Sequence, residues 1–152
     1  MSKTAIITGG SRGIGKALSL KLGEMGYNVV INYRSESSKA LSDDIAAKLE
    51  KDYGVKTLVV KADVSKYEDC EALVNAAVEK FGENIDVLVN NAGITNNCNW
   101  IDITRDAYER VINTMVTSLL FPNLLCRPTL MHSWRTIHPK VAVISFRPRQ
   151  RH

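Results

Sequence analysis

Near its start the chain reads Thr8-Gly9-Gly10-Ser11-Arg12-Gly13-Ile14-Gly15. The apolar, β-branched run at 3–8 is typical of a buried parallel strand that ends in these glycines. Behind the glycines, apolar residues recur at helical spacing up to the stop at Gly26, namely Ile14, Leu18, Leu22 and Met25. The stretch therefore predicts a tight turn that leads from a buried strand directly into a helix.

The same alternation continues along the chain. Short apolar runs predict further strands at 29–33, 57–60 and 85–89. Helical stripes fill the intervals, the second with Ala40, Leu41, Ile45, Ala46 and Leu49, and the third with Cys70, Leu73, Val74, Ala77, Val78 and Phe81. Ser65-Lys66-Tyr67-Glu68 predicts a capping box at the start of the third helix. Four alternations predict right-handed crossovers and an α/β fold with a doubly wound parallel sheet.

Such sheets bind ligands at the carboxyl ends of their strands, so the four strand-to-helix junctions are the candidate site. Glycines in the first junction let the backbone approach a pyrophosphate, whose charge the free amides of the following helix stabilise. The spacing G-x-x-x-G-x-G differs from the general dinucleotide fingerprint, and a glycine-rich turn without a ligand is the alternative.

The second junction indicates which of the two dinucleotides, NAD or NADP, the chain should bind. An acidic residue is expected there for the ribose hydroxyls of NAD, but the chain has Asn32-Tyr33-Arg34. Arg34, together with Arg12, could pair with a 2′-phosphate, which favours NADP over NAD. The alternative is that Arg34 is a solvated loop cation.

The third and fourth junctions complete the expected site. Asp63 could accept a hydrogen bond from an adenine amino group and Val64 could pack on the ring; alternatively, the aspartate only complements the dipole of the next helix. Asn90-Asn91-Ala92-Gly93 is small and rich in amides, so its side chains can hydrogen-bond the backbone across the switch point of the sheet and leave room for a ribose. The alternative is an ordinary Asn-Gly-type loop.

Taken together, T-G-G-S-R-G-I-G at 8–15, D-V at 63–64 and N-N-A-G at 90–93 resemble the short-chain dehydrogenase/reductase family. The resemblance is greatest to its 3-oxoacyl-acyl-carrier-protein and acetoacetyl-CoA reductase branch. It implies a Rossmann-type fold, a homotetramer, and NADPH-dependent reduction of a 3-oxoacyl thioester carbonyl to a hydroxyl by hydride transfer. It also implies cofactor contacts from Gly9, Ser11, Arg12, Gly13, Ile14, Gly15, Arg34, Asp63, Val64, Asn91, Ala92 and Gly93.

The catalytic residues of the family are a tyrosine, a lysine four positions later, a serine and an asparagine. No Tyr-x-x-x-Lys pair occurs in the 152 residues. The asparagine is expected on the helix after N-N-A-G, where Met115 occupies its position and Asn113 should face another way. Ser145, at the end of the apolar run 141–144, lies near the position of the family serine, but chance explains this match better.

Composition changes abruptly near residue 110. Residues 1–109 hold all 16 acidic residues, whereas residues 110–152 hold seven basic residues and no acid. With prolines at 122 and 128, the helical pattern is expected to lapse after Leu119, so residues 1–120 are interpreted as the cofactor domain and 121–152 as a basic tail outside the family fold. A shift of reading frame near 115–125 would explain a foreign tail and a shortened, inactive chain.

Three functional hypotheses therefore stand: a reductase, a catalytically dead dinucleotide-binding module, and a polyanion or nucleic-acid binder that uses the basic tail. The last of these is the least expected.

Cys70, Cys98 and Cys126 form no C-x-x-C pair, so neither a disulfide framework nor a metal site is expected. No stretch is apolar for long enough to predict a membrane span or signal peptide, which favours a cytoplasmic protein.

Overall fold

The computed structural model of the chain describes residues 3–94 and 100–131. In this part, strands and helices alternate in the order β1 (Thr4–Ile7), α1 (Gly13–Glu24), β2 (Asn28–Tyr33), α2 (Lys39–Tyr53), β3 (Thr57–Lys61), α3 (Tyr67–Phe81), β4 (Val87–Val89) and α4 (Arg105–Met131). Short 3-10 turns lie at Glu36–Ser38 and Trp100–Asp102. The predicted strands are confirmed.

The four strands form one parallel sheet in the order β3-β2-β1-β4. The chain winds outward from β1 through β2 to β3, and then returns to the other side of β1 with β4. The winding direction therefore reverses between β1 and β4, which makes their carboxyl ends the switch point where ligands bind in such sheets. The predicted doubly wound α/β fold is confirmed.

Every residue of β1 and β2 is buried, because helices cover both faces of the sheet. One core cluster joins Ile6, Val30 and Leu88 to residues of α3, and the other joins Ile7 and Ile31 to residues of α2. The predicted stripe of α2 is wrong in its first turn, since Ala40 and Leu41 are exposed and Ser42 is buried. The hydroxyl of Ser42 can be buried in the core because it donates a hydrogen bond to the Ser38 carbonyl at 2.9 Å.

The predicted capping box at residues 65–68 is also wrong. Lys66 occupies the N-cap position of α3 and makes no side-chain cap hydrogen bond. Ser65 instead donates both its backbone N–H and its hydroxyl to Oδ1 of Asp63, at 3.1 and 2.7 Å. The carboxylate of Asp63 is a stronger acceptor, so Ser65 hydrogen-bonds to it and does not cap α3 as the sequence pattern predicts.

α4 continues through Pro122 and Pro128 to Met131, so the expected end of the helical pattern after Leu119 is wrong. An internal proline removes a helix hydrogen bond and costs about 3 kcal/mol. Apolar packing offsets this loss: Phe121 and Leu125 lie against the α3 core cluster, and the Phe121 ring meets Tyr67 edge-on with centroids 5.4 Å apart. The helix thus crosses the predicted domain boundary at residue 120; residues 132–152 lie outside the described residues.

None of the helices in the described ranges is both long and apolar enough to cross a membrane. Within the same ranges, no three His, Cys, Asp or Glu side chains come together as a group that could hold a metal ion.

Candidate functional site

The glycine turn after β1 is anchored to the neighbouring strand β2. Gly9 has a left-handed backbone, with φ of 63°, and its N–H donates to the side-chain oxygen of Asn32 at 3.1 Å. The N–H of Gly10 donates to the main-chain oxygen of the same asparagine at 2.9 Å. Asn32 was not among the predicted site residues, although an asparagine in an otherwise apolar buried strand is a signal that could have revealed it.

Two glycines of the turn are required for opposite reasons. A β-carbon on Gly15 would lie 2.2 Å from the carbonyl oxygen of Gly9 and 2.6 Å from Nδ2 of Asn91, so the first turn of α1 packs tightly against the loop. A β-carbon on Gly13 would meet nothing within 4 Å, and φ there is +52°. The turn therefore packs tightly against protein atoms at Gly15 and faces open space at Gly13.

The start of α1 is prepared for an anion. Arg12 is the N-cap in an extended conformation, no side chain caps the helix, and no acidic residue lies in its first turn. The first amides and the positive end of the helix dipole are thus left for a ligand. Ile14 is 48% exposed beside them, whereas Ser11 is buried. These features fit the pyrophosphate of a dinucleotide.

The fourth junction braces the first. Nδ2 of Asn91 donates to the carbonyl oxygens of Thr8 and Gly9, both at 3.0 Å. The Thr8 hydroxyl accepts the N–H groups of Asn91 and Ala92, both at 3.0 Å, and donates to the Val89 carbonyl at 3.2 Å. Asn91 therefore shapes the glycine turn, and the predicted hydrogen bonding from an asparagine side chain to the backbone across the switch point is confirmed. Thr8 was missed because its hydroxyl had no predicted partner.

The ends of β2 and β3 carry opposite charges. Nε of Arg34 lies 3.4 Å from Oδ2 of Asp63. Burial opposes ionisation of Asp63, but the hydrogen bonds from Ser65 and the nearby guanidinium outweigh it and lower the pKa of this carboxyl below its ordinary value. Arg12 extends toward the same corner, where its guanidinium donates to the hydroxyl of Ser38. Arg34 and Asp63 therefore meet directly, while Arg12 reaches the segment that follows β2.

Val64 lies in the core rather than at the surface of the site. It is 4% exposed and belongs to the cluster beneath the sheet, where the Cys70 thiol donates to its carbonyl oxygen at 3.5 Å. Burial, with smaller contributions from Asp69 and Asp63, raises the pKa of the Cys70 thiol to about 11. The packing of Val64 on an adenine ring stays a prediction.

Met115 faces the switch point, at the position where the family resemblance places an asparagine. Its sulfur lies 3.0 Å from the position that a β-carbon would take on Gly93. Asn113 is exposed, and its carbonyl oxygen accepts the hydroxyl of Thr117. Ser145 lies outside the described residues.

The fold and its glycine turn define a Rossmann-type, doubly wound α/β domain. The chain belongs to the short-chain dehydrogenase family, whose pattern matches residues 3–137. The match extends past residue 120 and includes all of α4.

The curated relatives are consistent with this family. The chain is 39% identical over 116 residues to the 3-oxoacyl-acyl-carrier-protein reductase FabG of Staphylococcus epidermidis, which covers 75% of this chain and 45% of FabG. It is 37% identical over 132 residues to the short-chain dehydrogenase/reductase FrzI of Cladobotryum, covering 87% and 48%. The chain thus spans about half the length of the curated relatives it matches.

Solved structures of the same family superpose well. A blue fluorescent protein from a metagenomic library, in complex with NADPH, matches with a TM-score of 0.78 at 33% identity, over 84% of this chain and 51% of that one. A short chain dehydrogenase of Burkholderia cenocepacia, in complex with NADP, matches with a TM-score of 0.77 at 31% identity, over 83% and 50%.

Proposed function

We propose that this chain is the cofactor-binding half of an NADPH-dependent reductase that converts the carbonyl of a 3-oxoacyl thioester to a hydroxyl. One observation carries the cofactor choice: Arg34 directly follows β2, at the position where an NAD site has an acid. The relative FabG and the NADPH and NADP complexes of similar structures support the proposal.

The residues present fit the proposed cofactor. The open turn at Gly13 and the free amides of α1 would bind the pyrophosphate, and Arg34 with Arg12 would bind the 2′-phosphate. Asp63 would accept from the adenine amino group, and Ala92 and Gly93 would leave space for the central ribose. When bound, NADPH supplies the hydride for the substrate carbonyl, while the protein binds, orients and excludes water.

The substrate and assembly follow from the family. We propose a thioester of an acyl carrier protein or of coenzyme A as substrate, and a homotetramer as the working form. Both proposals concern the whole protein, of which the described residues contain the cofactor side.

The 152 residues contain no Tyr-x-x-x-Lys pair, and Met115 fills the position of the family asparagine. A thioether has no proton to donate or transfer and is only a weak hydrogen-bond acceptor. These residues favour a second candidate for the chain as it stands, a dinucleotide-binding module without turnover. We therefore expect NADPH binding without reduction of acetoacetyl-CoA.

Fluorescence titration with NADPH and NADH tests the cofactor proposal. We expect NADPH to bind about tenfold more tightly, because a charge-assisted hydrogen bond contributes about 1.5–3 kcal/mol. Arg34→Ala should remove the preference, whereas Arg105→Ala, on the exposed face of α4, should leave it unchanged. Equal affinity for the two cofactors in the wild type contradicts the NADPH assignment.

The second candidate has its own assay. Oxidation of NADPH is followed by absorbance in the presence of acetoacetyl-CoA, with a catalytically complete family member as the positive control. Substrate-dependent oxidation by this chain would rule out the module without turnover and identify an acid catalyst outside the expected motif.

A further inference from the structure

The ion pair between Arg34 and Asp63 links the carboxyl ends of two neighbouring strands, β2 and β3. Nε and Oδ2 are 3.4 Å apart, and the side chains are 54% and 22% exposed. The guanidinium that would bind a 2′-phosphate therefore already faces a carboxylate. A phosphate that reaches Arg34 must share it with Asp63.

The carboxylate of Asp63 is held by Ser65, and its main chain is held by Asp69. Its Oδ1 accepts both hydrogen bonds from Ser65, at 3.1 and 2.7 Å, while its own N–H donates to Oδ2 of Asp69 at 2.7 Å. The oxygen that remains, Oδ2, is the one that faces Arg34. Because Asp63 is fixed by hydrogen bonds that Arg34 does not supply, the aspartate orients the arginine rather than the reverse.

A second pair of charges lies nearby. Glu36, two residues after Arg34, pairs with Lys61 at the end of β3, with Nζ and Oε2 2.8 Å apart. Glu36 is thus paired with Lys61. Among the described residues, Asp63 is the carboxylate within ion-pair distance of Arg34. The negative charge that acts most directly on this guanidinium is that of Asp63.

We propose that Asp63 is a specificity-determining residue that restrains Arg34 and weakens the discrimination in favour of adenine nucleotides bearing a 2′-phosphate. The inference deepens the proposed function and rests on it. The carboxylate neutralises part of the arginine charge and repels the incoming phosphate dianion. Preference for the phosphorylated nucleotide is thereby set below the value that Arg34 alone would give.

The test uses the full chain and two small probes, adenosine 2′,5′-bisphosphate and adenosine 5′-monophosphate, whose dissociation constants are measured by calorimetry. The two probes share the adenine and the 5′-phosphate, so the ratio of their affinities isolates the 2′-phosphate. Asp63→Asn removes the charge but keeps an acceptor oxygen for the adenine. Asp52→Asn is the matched control, because it breaks an ion pair with Lys48 at the other end of α2.

We expect Asp63→Asn to raise the affinity ratio by about three- to fivefold, the upper part of the range for a partly exposed ion pair, and Asp52→Asn to leave it unchanged. In an Arg34→Ala background, the same change at Asp63 should raise the ratio less, because only the direct repulsion of the phosphate remains, whereas a merely structural role of Asp63 would give the same change in both backgrounds. An unchanged or lowered ratio in Asp63→Asn, with wild-type binding intact, overturns this inference alone. Failure of the wild type to bind either probe overturns the proposed function and this inference with it.

Discussion

The sulfur of Met115 on α4 lies 3.0 Å from the point where a β-carbon on Gly93 would stand. A real β-carbon and sulfur normally pack farther apart than this, so a side chain at position 93 would compete with Met115 for the same space. The contact joins α4 to the turn after β4, next to the expected ribose pocket.

Alanine at Gly93 therefore tests the contact with Met115. We expect Gly93→Ala to lower the free energy of unfolding by about 1 kcal/mol, the lower end of the range for overpacking. In a Met115→Ala background the same change should have a smaller effect, with a coupling of at least about 0.5 kcal/mol. Urea denaturation of the four variants measures the coupling; strictly additive effects contradict the contact.

Alanine substitutions at Gly15 and Gly13 should separate stability from binding. A β-carbon on Gly15 collides with the Gly9 carbonyl, so we expect a loss of about 3 kcal/mol in unfolding free energy. Gly13→Ala introduces only the strain of a positive φ, about 1 kcal/mol, but places a methyl group in the open turn. We expect Gly13→Ala to remain folded and to lose NADPH affinity; retained affinity would show that the ligand does not approach this turn.

The Thr8 hydroxyl is predicted to hold the first and fourth junctions together. Thr8→Val removes the acceptor of two backbone N–H groups, and each unsatisfied buried group costs about 1–3 kcal/mol. Thr8→Ser keeps the hydroxyl and serves as the control. Thermal denaturation should show a large loss for valine and a small one for serine; a loss for valine no greater than that for serine would contradict the role of the hydroxyl.

The lowered pKa of Asp63 predicts an acid dependence of stability. Below about pH 4, the ordinary value for aspartate, the unfolded chain takes up the proton at this carboxyl while the folded chain does not. The stabilisation from ionised Asp63 is therefore present above that pH and is lost as the pH falls through the lower, folded-state pKa. Urea denaturation between pH 6 and pH 2 should show the wild type losing stability relative to Asp63→Asn; parallel curves contradict this.

The Cys70 thiol should be inert in the folded protein. It is fully buried, and its pKa is raised to about 11, so almost no thiolate is present at pH 8. In a chain with Cys98→Ser and Cys126→Ser, we expect an aromatic disulfide reagent to label Cys70 at a rate that rises with urea. Complete labelling within seconds in native buffer would show that the thiol is accessible.

The alternation of strands and helices and the glycine turn were predictable because they depend on local patterns: β-branched runs, helical periodicity, and glycines where side chains cannot fit. The errors arose where tertiary contacts override such patterns. Ser65 follows a capping motif but bonds to Asp63, and Pro122 reads as a helix end but continues α4 through contacts with the α3 core. The roles of Thr8 and Asn32 could not be predicted from local patterns, because their partners lie in turns that follow other strands.

The position of β1 between β2 and β4 has a consequence for the order of synthesis. The Thr4 N–H donates to the Asp86 carboxylate at 2.8 Å across 82 residues of chain. At about 5–20 residues per second, the first strand leaves the ribosome roughly four to sixteen seconds before the strand that completes its pairing. One edge of β1 therefore remains apolar and unpaired until residues 87–89 have been made.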